Sequence, residues 1–213
     1  MSRSDRGGVL GVVLAGGANR RYEGRPKALE SVGGQRIADR VTSAMMEVVD
    51  RVVMVANDTA TFEVLGFEVR PDLRPGIGAL GGIHTAVAWA CEGGYRGALI
   101  SACDMPFLSV PLLRRLTAGA TADEVVVPES ASRRGMEPLC AFYGSGCLAA
   151  IESALERGER QVISFYSDVE VRTISREEVE SFGDPTLLFL NVNSPEDRAR
   201  AELALEKSGA RHP

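Results

Sequence analysis

The chain has 213 residues, of which 45% are hydrophobic and 25% are charged, and its formal net charge at pH 7 is -5. This length and composition suit a sizeable buried core and predict a single domain, residues 9–207, between a disordered N-terminus (1–8) and a loose C-terminus (208–213). Because the basic residues are scattered, except around Arg20 to Lys27 and at Arg133-Arg134, the charge pattern excludes a general nucleic-acid surface.

Membrane insertion and secretion have no support in the sequence. No apolar run reaches the roughly 18 residues that cross a bilayer, and the first residues lack the apolar stretch of a signal peptide. The sequence therefore predicts a cytoplasmic protein with no membrane partner. The four cysteines form no CxxC pair and the chain has two histidines, so a zinc site is hard to assemble. The thiols of Cys91, Cys103, Cys140 and Cys147 are predicted to be reduced and to lie in the core.

Short apolar runs bounded by turn residues recur along the chain and are typical of strands buried on both faces. They occupy 9–15, 51–56, 67–70, 97–102, 124–128, 139–143 and 188–192. Apolar residues at helical spacing lie between them, around 37–48, 83–90, 112–116, 148–155 and 199–205. This alternation predicts an α/β fold: a doubly wound, mostly parallel sheet with helices on both faces, which is Rossmann-like and binds ligands at the carboxyl ends of its strands.

Two glycines, Gly16-Gly17, stand where the first predicted strand ends, in "VVLAGGANRRYEGRPKALESVGG". Without a β-carbon, the backbone N–H groups there can approach a ligand, and their dipoles suit phosphate. The basic side chains that follow, ending at Lys27, supply the countercharge of a nucleoside triphosphate. A plain turn beside a solvated basic face explains the same residues equally well. The stretch is not a Walker A loop, because no Gly-Lys-Ser/Thr follows at the required spacing.

A second glycine cluster, "GIGALG" at 76–81, fits the pattern G-x-G-x-x-G and leads into a helical stretch. The dinucleotide-binding fingerprint needs its first glycine directly at the end of a strand. Here Pro71 and Pro75 separate the cluster from the preceding strand. The pattern therefore favours a glycine-rich loop that closes over a ligand and disfavours a nicotinamide site.

Acidic residues follow two of the predicted strands at the ligand-binding edge. Asp104 follows the run 97–102, where a carboxylate can hold Mg²⁺ between phosphate oxygens. Capping is a poor alternative, because the next predicted helix starts near Ser109, five residues further on. Asp72 follows the run 67–70 and is a candidate contact for sugar or base. An aspartate before a loop is also a common turn former, and that alternative stays open.

Four quoted segments, in order along residues 9–198, resemble a known family. "LAGGANRRYEGRPKAL" is similar to the signature of nucleotidyltransferases with a glycosyltransferase-A-like fold. One branch of that family, the molybdenum cofactor guanylyltransferases of the MobA-like group, has segments similar to "GALGGI", "ACDMPFL" and "NVNSPED" of this chain. The resemblance implies transfer of GMP from GTP to the terminal phosphate of molybdopterin, with release of pyrophosphate. It also implies Mg²⁺ as cofactor and transient contact with molybdenum cofactor biosynthesis proteins or acceptor molybdoenzymes.

The resemblance also implies roles for individual residues. Leu14, Ala15, Gly16 and Gly17 would wrap the nucleotide, and Arg21 and Lys27 would hold its phosphates. Asp72 would touch the nucleoside, and Gly78 and Gly82 would line the loop beside it. Asn57 and Asp104 are further implied contacts of the nucleotide. Arg21, Lys27 and Asp104 are the implied catalytic residues, and Asp104 is the implied metal ligand. Asn191 and Asn193, expected at the end of the strand 188–192, would lie near the metal or the pterin. Capping of the following helix is an equally good explanation for these two amides.

Two departures from the family pattern concern charge. Tyr22-Glu23 replaces Met-Gly, which places a negative charge beside a phosphate site unless Glu23 turns outward or pairs with a neighbouring arginine. Met136-Glu137 precedes Pro138, where family members commonly place a histidine.

Other functions remain open from the sequence. A cytidylyltransferase acting on the same pterin, or on a sugar or lipid phosphate, differs from the guanylyltransferase in only a few contacts to the base. The third candidate function is that of a non-catalytic nucleotide-binding protein. Retention of both Lys27 and Asp104 argues against it, because a pure binding module has less need of a metal.

Overall fold

The computed structural model describes residues 7–15, 29–62 and 65–209. The strands in these residues are β1 (Val9–Leu14), β2 (Ser31–Val32), β3 (Gln35–Arg36), β4 (Arg51–Val55), β5 (Glu68–Arg70), β6 (Gly97–Ala102), β7 (Glu124–Pro128), β8 (Cys140–Gly144) and β9 (Glu170–Ile174). The helices are α1 (Ile37–Met46), α2 (Thr59–Phe62), α3 (Ala79–Glu92), α4 (Val110–Thr117), α5 (Leu148–Glu156), α6 (Arg176–Glu180), α7 (Pro185–Leu188) and α8 (Pro195–Gly209). Most of the predicted loose ends, 1–8 and 208–213, lie outside the described residues.

Seven of the described strands form one sheet in the order β5-β4-β1-β6-β8-β7-β9. β5, β4, β1 and β6 are parallel, β8 is antiparallel to both its neighbours, and β9 is parallel to β7. The chain moves from β1 outward to β4 and β5, and then returns to β6 on the other side of β1. Ligands of doubly wound sheets bind where the strand order reverses in this way. The predicted fold class, a mostly parallel α/β sheet, is confirmed.

Apolar layers cover both faces of the sheet. Neighbouring residues of a strand point to opposite faces, and Val12 and Val13 accordingly belong to different core clusters although both are fully buried. Val13 packs on the side of α1 and α4, whereas Val12 packs on the side of α3 and α5. Burial on both faces explains why these strands are nearly continuous apolar runs.

The predicted strand 188–192 is wrong. The Asp184 side chain accepts a hydrogen bond from the Thr186 N–H at 2.8 Å, and a proline occupies the first helical position, so α7 starts here. Leu190 and Val192, which follow α7, are apolar and buried, as in a strand. Their backbone lies against the loop after β6, where the Val192 N–H donates to the Asp104 carbonyl at 2.9 Å. The segment is therefore a buried loop packed beside the cavity edge.

The sequence pattern does not predict β9, an edge strand of the sheet. Glu170 and Thr173 of this strand are exposed, and its apolar residues alternate with polar ones. Charged and polar side chains are typical of edge strands, because they discourage pairing with another chain. A search for continuous apolar runs passes over such a strand.

The structure can be compared with the predictions about the four cysteine thiols and about membrane insertion. Cys103, Cys140 and Cys147 are buried free thiols, as predicted. Cys91 is not a core residue: it is exposed on α3, and its Sγ donates to the Ser145 carbonyl at 3.1 Å. None of the helices in the described residues is long and apolar enough to cross a membrane.

Candidate functional site

The central strands end at the same level and open onto a cavity. Leu14, the last residue of β1, pairs with Val55 of β4 on one side and with Ala102 of β6 on the other. Polar side chains follow three of these parallel strands, and all of them face one cavity of about 460 Å³. Its lining consists of Leu14, Val55, Asn57, Asp72, Gly76, Gly78, Ala79, Gly82, Ala102, Cys103, Asp104, Leu139 and Asn191. Its volume lies in the usual range of about 300–1,000 Å³ for small-ligand sites.

Asp72 and Asn57 form one wall of the cavity. Asn57 Oδ1 accepts a hydrogen bond from the Asp72 N–H at 3.1 Å, which ties the loop after β4 to the loop after β5. Asp72 Oδ1 in turn accepts from the Arg74 N–H at 2.9 Å and from the hydroxyl of Thr85 at 2.7 Å. The turn-forming role that the sequence left open for Asp72 is therefore present, and the same residue also lines the cavity.

The N-terminus of α3 meets the cavity through a glycine-rich segment. Gly78, the residue before α3, has φ 87° and ψ -151°, a conformation that strongly favours glycine. One turn later, Gly82 packs its bare Cα against the side chain of Leu14. The partial positive charge of a helix N-terminus favours an anionic ligand at this position.

Asp104 lines the cavity at the loop after β6, and a second carboxylate, that of Glu137, lies near it. The Cys103 N–H donates to the Leu14 carbonyl at 3.1 Å, which fixes the start of the loop after β6. Glu137, between β7 and β8, lies close enough for its electrostatics to be affected: burial raises the pKa of its carboxyl, and the charge of Asp104 raises this pKa further against the opposing hydrogen bond from the Leu139 N–H. Two carboxyl groups therefore lie near one another on this side of the site, which favours a cation over an anion there, and the charge of Arg134 offsets part of this effect.

The structure brings together most of the predicted site residues that it describes. Leu14, Asn57, Asp72, Gly78, Gly82, Asp104 and Asn191 all line the cavity. Ala15 is not among the residues that line the cavity: it is buried, and its N–H donates to the Val55 carbonyl at 2.8 Å. Gly16, Gly17, Arg21 and Lys27, together with the departure at Tyr22-Glu23, lie outside the described residues.

The structure places the two predicted amide residues, Asn191 and Asn193, in different surroundings. Because 188–192 is a loop, neither Asn191 nor Asn193 stands at the end of a strand. Asn191 reaches the cavity lining and donates through Nδ2 to the Phe189 carbonyl at 3.2 Å. Asn193 is exposed outside the lining, and its N–H donates to Asp197 Oδ2 at 3.0 Å. The cap of α8 is Ser194, whose Oγ accepts from the Asp197 N–H at 3.1 Å.

Some residues of the site were not predicted. Cys103 and Leu139 line the cavity, but each reads in the sequence as an ordinary part of an apolar run. Glu137 was noted only as a departure from a family pattern, and its position beside Asp104 depends on the antiparallel placement of β8. Thr85 lies in α3, seven residues after Gly78, and no local sequence pattern connects it with Asp72.

Comparison with known proteins identifies the family. The family model of the MobA-like NTP transferase domain matches residues 11–171. A molybdenum cofactor guanylyltransferase from Desulfosudis oleivorans is 36% identical over 199 residues, which cover 93% of this chain and 96% of that protein. The chain belongs to the MobA-like NTP transferase family. A molybdenum cofactor guanylyltransferase from Mesorhizobium japonicum is 33% identical, with 93% of this chain and 96% of that protein covered.

Solved structures agree with this MobA-like assignment. Molybdopterin-guanine dinucleotide biosynthesis protein A from Archaeoglobus fulgidus superposes with a TM-score of 0.74 at 26% identity, covering 93% of this chain and 100% of that one. A nucleotidyl transferase from Methanothermobacter has the same fold, with a TM-score of 0.71 at 19% identity over 94% of this chain and 99% of that one. The predicted resemblance is therefore confirmed, and the chain is a nucleotidyltransferase of the MobA-like family.

Proposed function

We propose that this MobA-like transferase moves GMP from GTP to the terminal phosphate of molybdopterin. An oxygen of that phosphate attacks the α-phosphorus of GTP, the bond from the α-phosphorus to the bridging oxygen of the β-phosphate breaks, and pyrophosphate leaves. The observation that carries the proposal is the cavity at the strand reversal, where Asp72 and Asp104 both line a ligand-sized space in a chain of this family. Proteins that supply molybdopterin or receive the dinucleotide are the proposed transient partners.

Positioning and charge neutralisation provide most of the catalysis in phosphoryl transfer of this kind. The nucleoside would lie between Leu14 and the Asn57–Asp72 wall, and the N-terminus of α3 would face its phosphates. Gly16 and Gly17 are proposed to cradle those phosphates through their N–H groups, and Arg21 and Lys27 to neutralise them. Asn191 is the described amide placed to contact the acceptor.

The donor set around Asp104 fits Mg²⁺. Among the described residues no group of three or more His, Cys, Asp or Glu could form an all-protein cation site. Mg²⁺ that accompanies a nucleotide needs only one or two carboxylates, with phosphate oxygens and water as the other ligands. Asp104 would hold the ion, with Glu137 adding negative potential beside it. When bound, Mg²⁺ supplies neutralisation of the charge that develops on the phosphate oxygens.

A product assay tests the proposal directly. The purified protein is incubated with molybdopterin, Mg²⁺ and each of the four ribonucleoside triphosphates in turn, and the dinucleotides are identified by mass spectrometry. We expect a guanine dinucleotide and release of pyrophosphate with GTP. A cytosine dinucleotide formed in preference would reassign the base, and no dinucleotide with any nucleotide would overturn the proposal. Asp104→Asn, purified in the same way and assayed at the same low Mg²⁺ concentration, should form less dinucleotide, whereas a contaminating transferase would give equal amounts in both preparations.

A further inference from the structure

A buried hydroxyl of α3 contacts the loop that carries Asp72. Thr85 is fully buried, and its Oγ1 donates to Asp72 Oδ1 at 2.7 Å while it accepts from the Leu73 N–H at 2.9 Å. A threonine inside a helix commonly bonds back to the carbonyl one turn earlier, as Thr42 does with Ala38 at 2.8 Å. Thr85 instead gives its single proton to a residue outside its helix. This hydroxyl therefore links α3 to the loop after β5.

The two carboxylate oxygens of Asp72 have different surroundings as a result. Oδ1 accepts two hydrogen bonds, from Thr85 and from the Arg74 N–H. Oδ2 lies on the side of Gly81, where an added β-carbon would be 3.3 Å away, so the absence of a side chain there leaves room for this oxygen. A rotation that exchanges the two oxygens breaks both contacts to Oδ1. The carboxylate is thus held in one orientation at the wall of the cavity.

We propose that Thr85 is a positioning residue of the nucleotide site, which fixes the Asp72 carboxylate so that Oδ2 is the oxygen offered to hydrogen-bond donors of the bound nucleoside. The inference rests on the proposed function, because it takes a nucleoside triphosphate as the ligand of the cavity. Without the hydroxyl, the loop and the carboxylate must be ordered when the ligand binds, and that entropic cost weakens binding. The effect is confined to ligands that carry a nucleoside, since the phosphates contact other residues.

Thr85→Val tests the role, because it removes the hydroxyl and keeps the shape of the side chain. Binding of GTP and of inorganic tripolyphosphate, each with Mg²⁺, is measured by titration calorimetry without any acceptor. We expect the Kd for GTP to rise about tenfold, as for the loss of one hydrogen bond to a charged group, and the Kd for tripolyphosphate to stay within about twofold. Thr42→Val is the matched control: it removes another fully buried threonine hydroxyl, one bonded only within α1, and leaves both Kd values unchanged.

Two further variants keep the test informative if Thr85→Val folds poorly. Thr85→Ser retains the hydroxyl, and we expect GTP affinity close to that of the wild type. Asp72→Asn retains an acceptor for Thr85 but turns the offered atom into a donor. It should therefore weaken GTP binding more than Asp72→Ala does. In the Asp72→Ala background, Thr85→Val should cause a smaller loss than in the wild type, because the two residues are coupled and the bond from the Leu73 N–H is all that Thr85 still contributes to the loop.

The outcomes distinguish the proposed function from the positioning role of Thr85. If the wild type binds no nucleoside triphosphate, the proposed function fails, and the positioning role fails with it. If the wild type binds GTP but Thr85→Val binds it equally well, only the positioning role is overturned. An equal loss of GTP and tripolyphosphate affinity in Thr85→Val would also overturn it, because that result indicates general damage to the site.

Discussion

Gly82 of α3 packs directly against Leu14 at the end of β1: a β-carbon on Gly82 would lie 3.3 Å from both Cδ1 and Cδ2 of that leucine. Such a contact is tight, so a side chain at 82 requires a shift of Leu14, and both residues line the cavity. The missing side chain thus sets both the distance between helix and strand and the shape of the cavity.

Gly82→Ala should therefore narrow the nucleotide site more than it destabilises the fold. Overpacking by one methyl group costs about 1 kcal/mol, which corresponds to a roughly fivefold rise in the Kd for GTP if the strain appears in the ligand complex. Titration calorimetry and thermal unfolding measure the two effects separately. Gly8→Ala is the control, because a β-carbon there meets only the Tyr95 ring, at an ordinary distance of 3.5 Å. Unchanged GTP affinity in Gly82→Ala would contradict the expectation.

Asp104→Asn tests the metal site, because it removes one negative charge with almost no change in shape. We expect a lower rate that is partly recovered by raising the Mg²⁺ concentration, since a neutral amide is a weaker ligand for a hard cation. Asp168→Asn, an exposed residue outside the cavity lining, should keep the metal dependence of the wild type. A metal titration of the reaction rate distinguishes the variants. The same dependence in Asp104→Asn as in the wild type would remove Asp104 from the metal site.

Lys27→Ala tests the basic segment of the sequence signature. If Lys27 contacts phosphates whose charge increases as pyrophosphate leaves, its loss should lower the rate about a hundredfold or more, as for other groups that stabilise developing charge. Thermal unfolding should change little, because a lysine in a polar segment contributes little to a core. Lys207→Ala, an exposed lysine on α8, is the control for simple charge removal. Near-normal turnover in Lys27→Ala would show that the segment is a turn with a solvated basic face.

Physical causes decide which residues of the site can be recognised in the sequence. Asp72 and Asp104 can be recognised in the sequence because each follows a parallel strand closely, and the carboxyl ends of parallel strands share one edge of the sheet. Asn191 reached the same site by a loop that only resembles a strand, since burial alone makes a loop apolar. Glu137 and Thr85 were not assigned to the site because their positions depend on long-range packing. The apolar pattern of β8 does not predict that the strand is antiparallel to its neighbours. The helical pattern of α3 does not predict which loop the Thr85 hydroxyl contacts.

The Glu124–Arg172 pair predicts a pH-dependent stability. Glu124 has 4% of its surface exposed, and burial raises its pKa, but hydrogen bonds from Arg172 Nε at 3.0 Å and from the Thr121 N–H outweigh this and lower the pKa below its ordinary value. The ionised carboxylate therefore stabilises the fold above the pKa of the unfolded state, about 4.3, and this contribution is lost as the pH falls through the lower folded pKa.

Glu124→Gln should accordingly lower the Tm at pH 7 by roughly 4–8 °C, from a loss of about 2 kcal/mol in a domain of this size. The difference from the wild type should shrink as the pH is lowered below about 4. Glu159→Gln breaks a similar pair with Arg157 on the exposed surface, where solvent screens the charges, and should change the Tm little at any pH. A loss in Glu124→Gln that stays constant from pH 7 to pH 3 would mean that packing, and not charge, is responsible.

The preference for guanine can be tested without the acceptor. A ligand that binds only the folded state stabilises it by about 2.7 kcal/mol at 100 times its Kd, so a cognate triphosphate with Mg²⁺ should raise the Tm by roughly 5–10 °C. GTP and CTP carry the same phosphates, so any difference between their shifts comes from the base, which we place between Leu14 and Asp72. We expect the larger shift with GTP, and expect Asp72→Ala to reduce the difference between the two nucleotides. A shift with CTP equal to or above that with GTP would favour a cytidylyltransferase, because the site would then show no preference for guanine over cytosine.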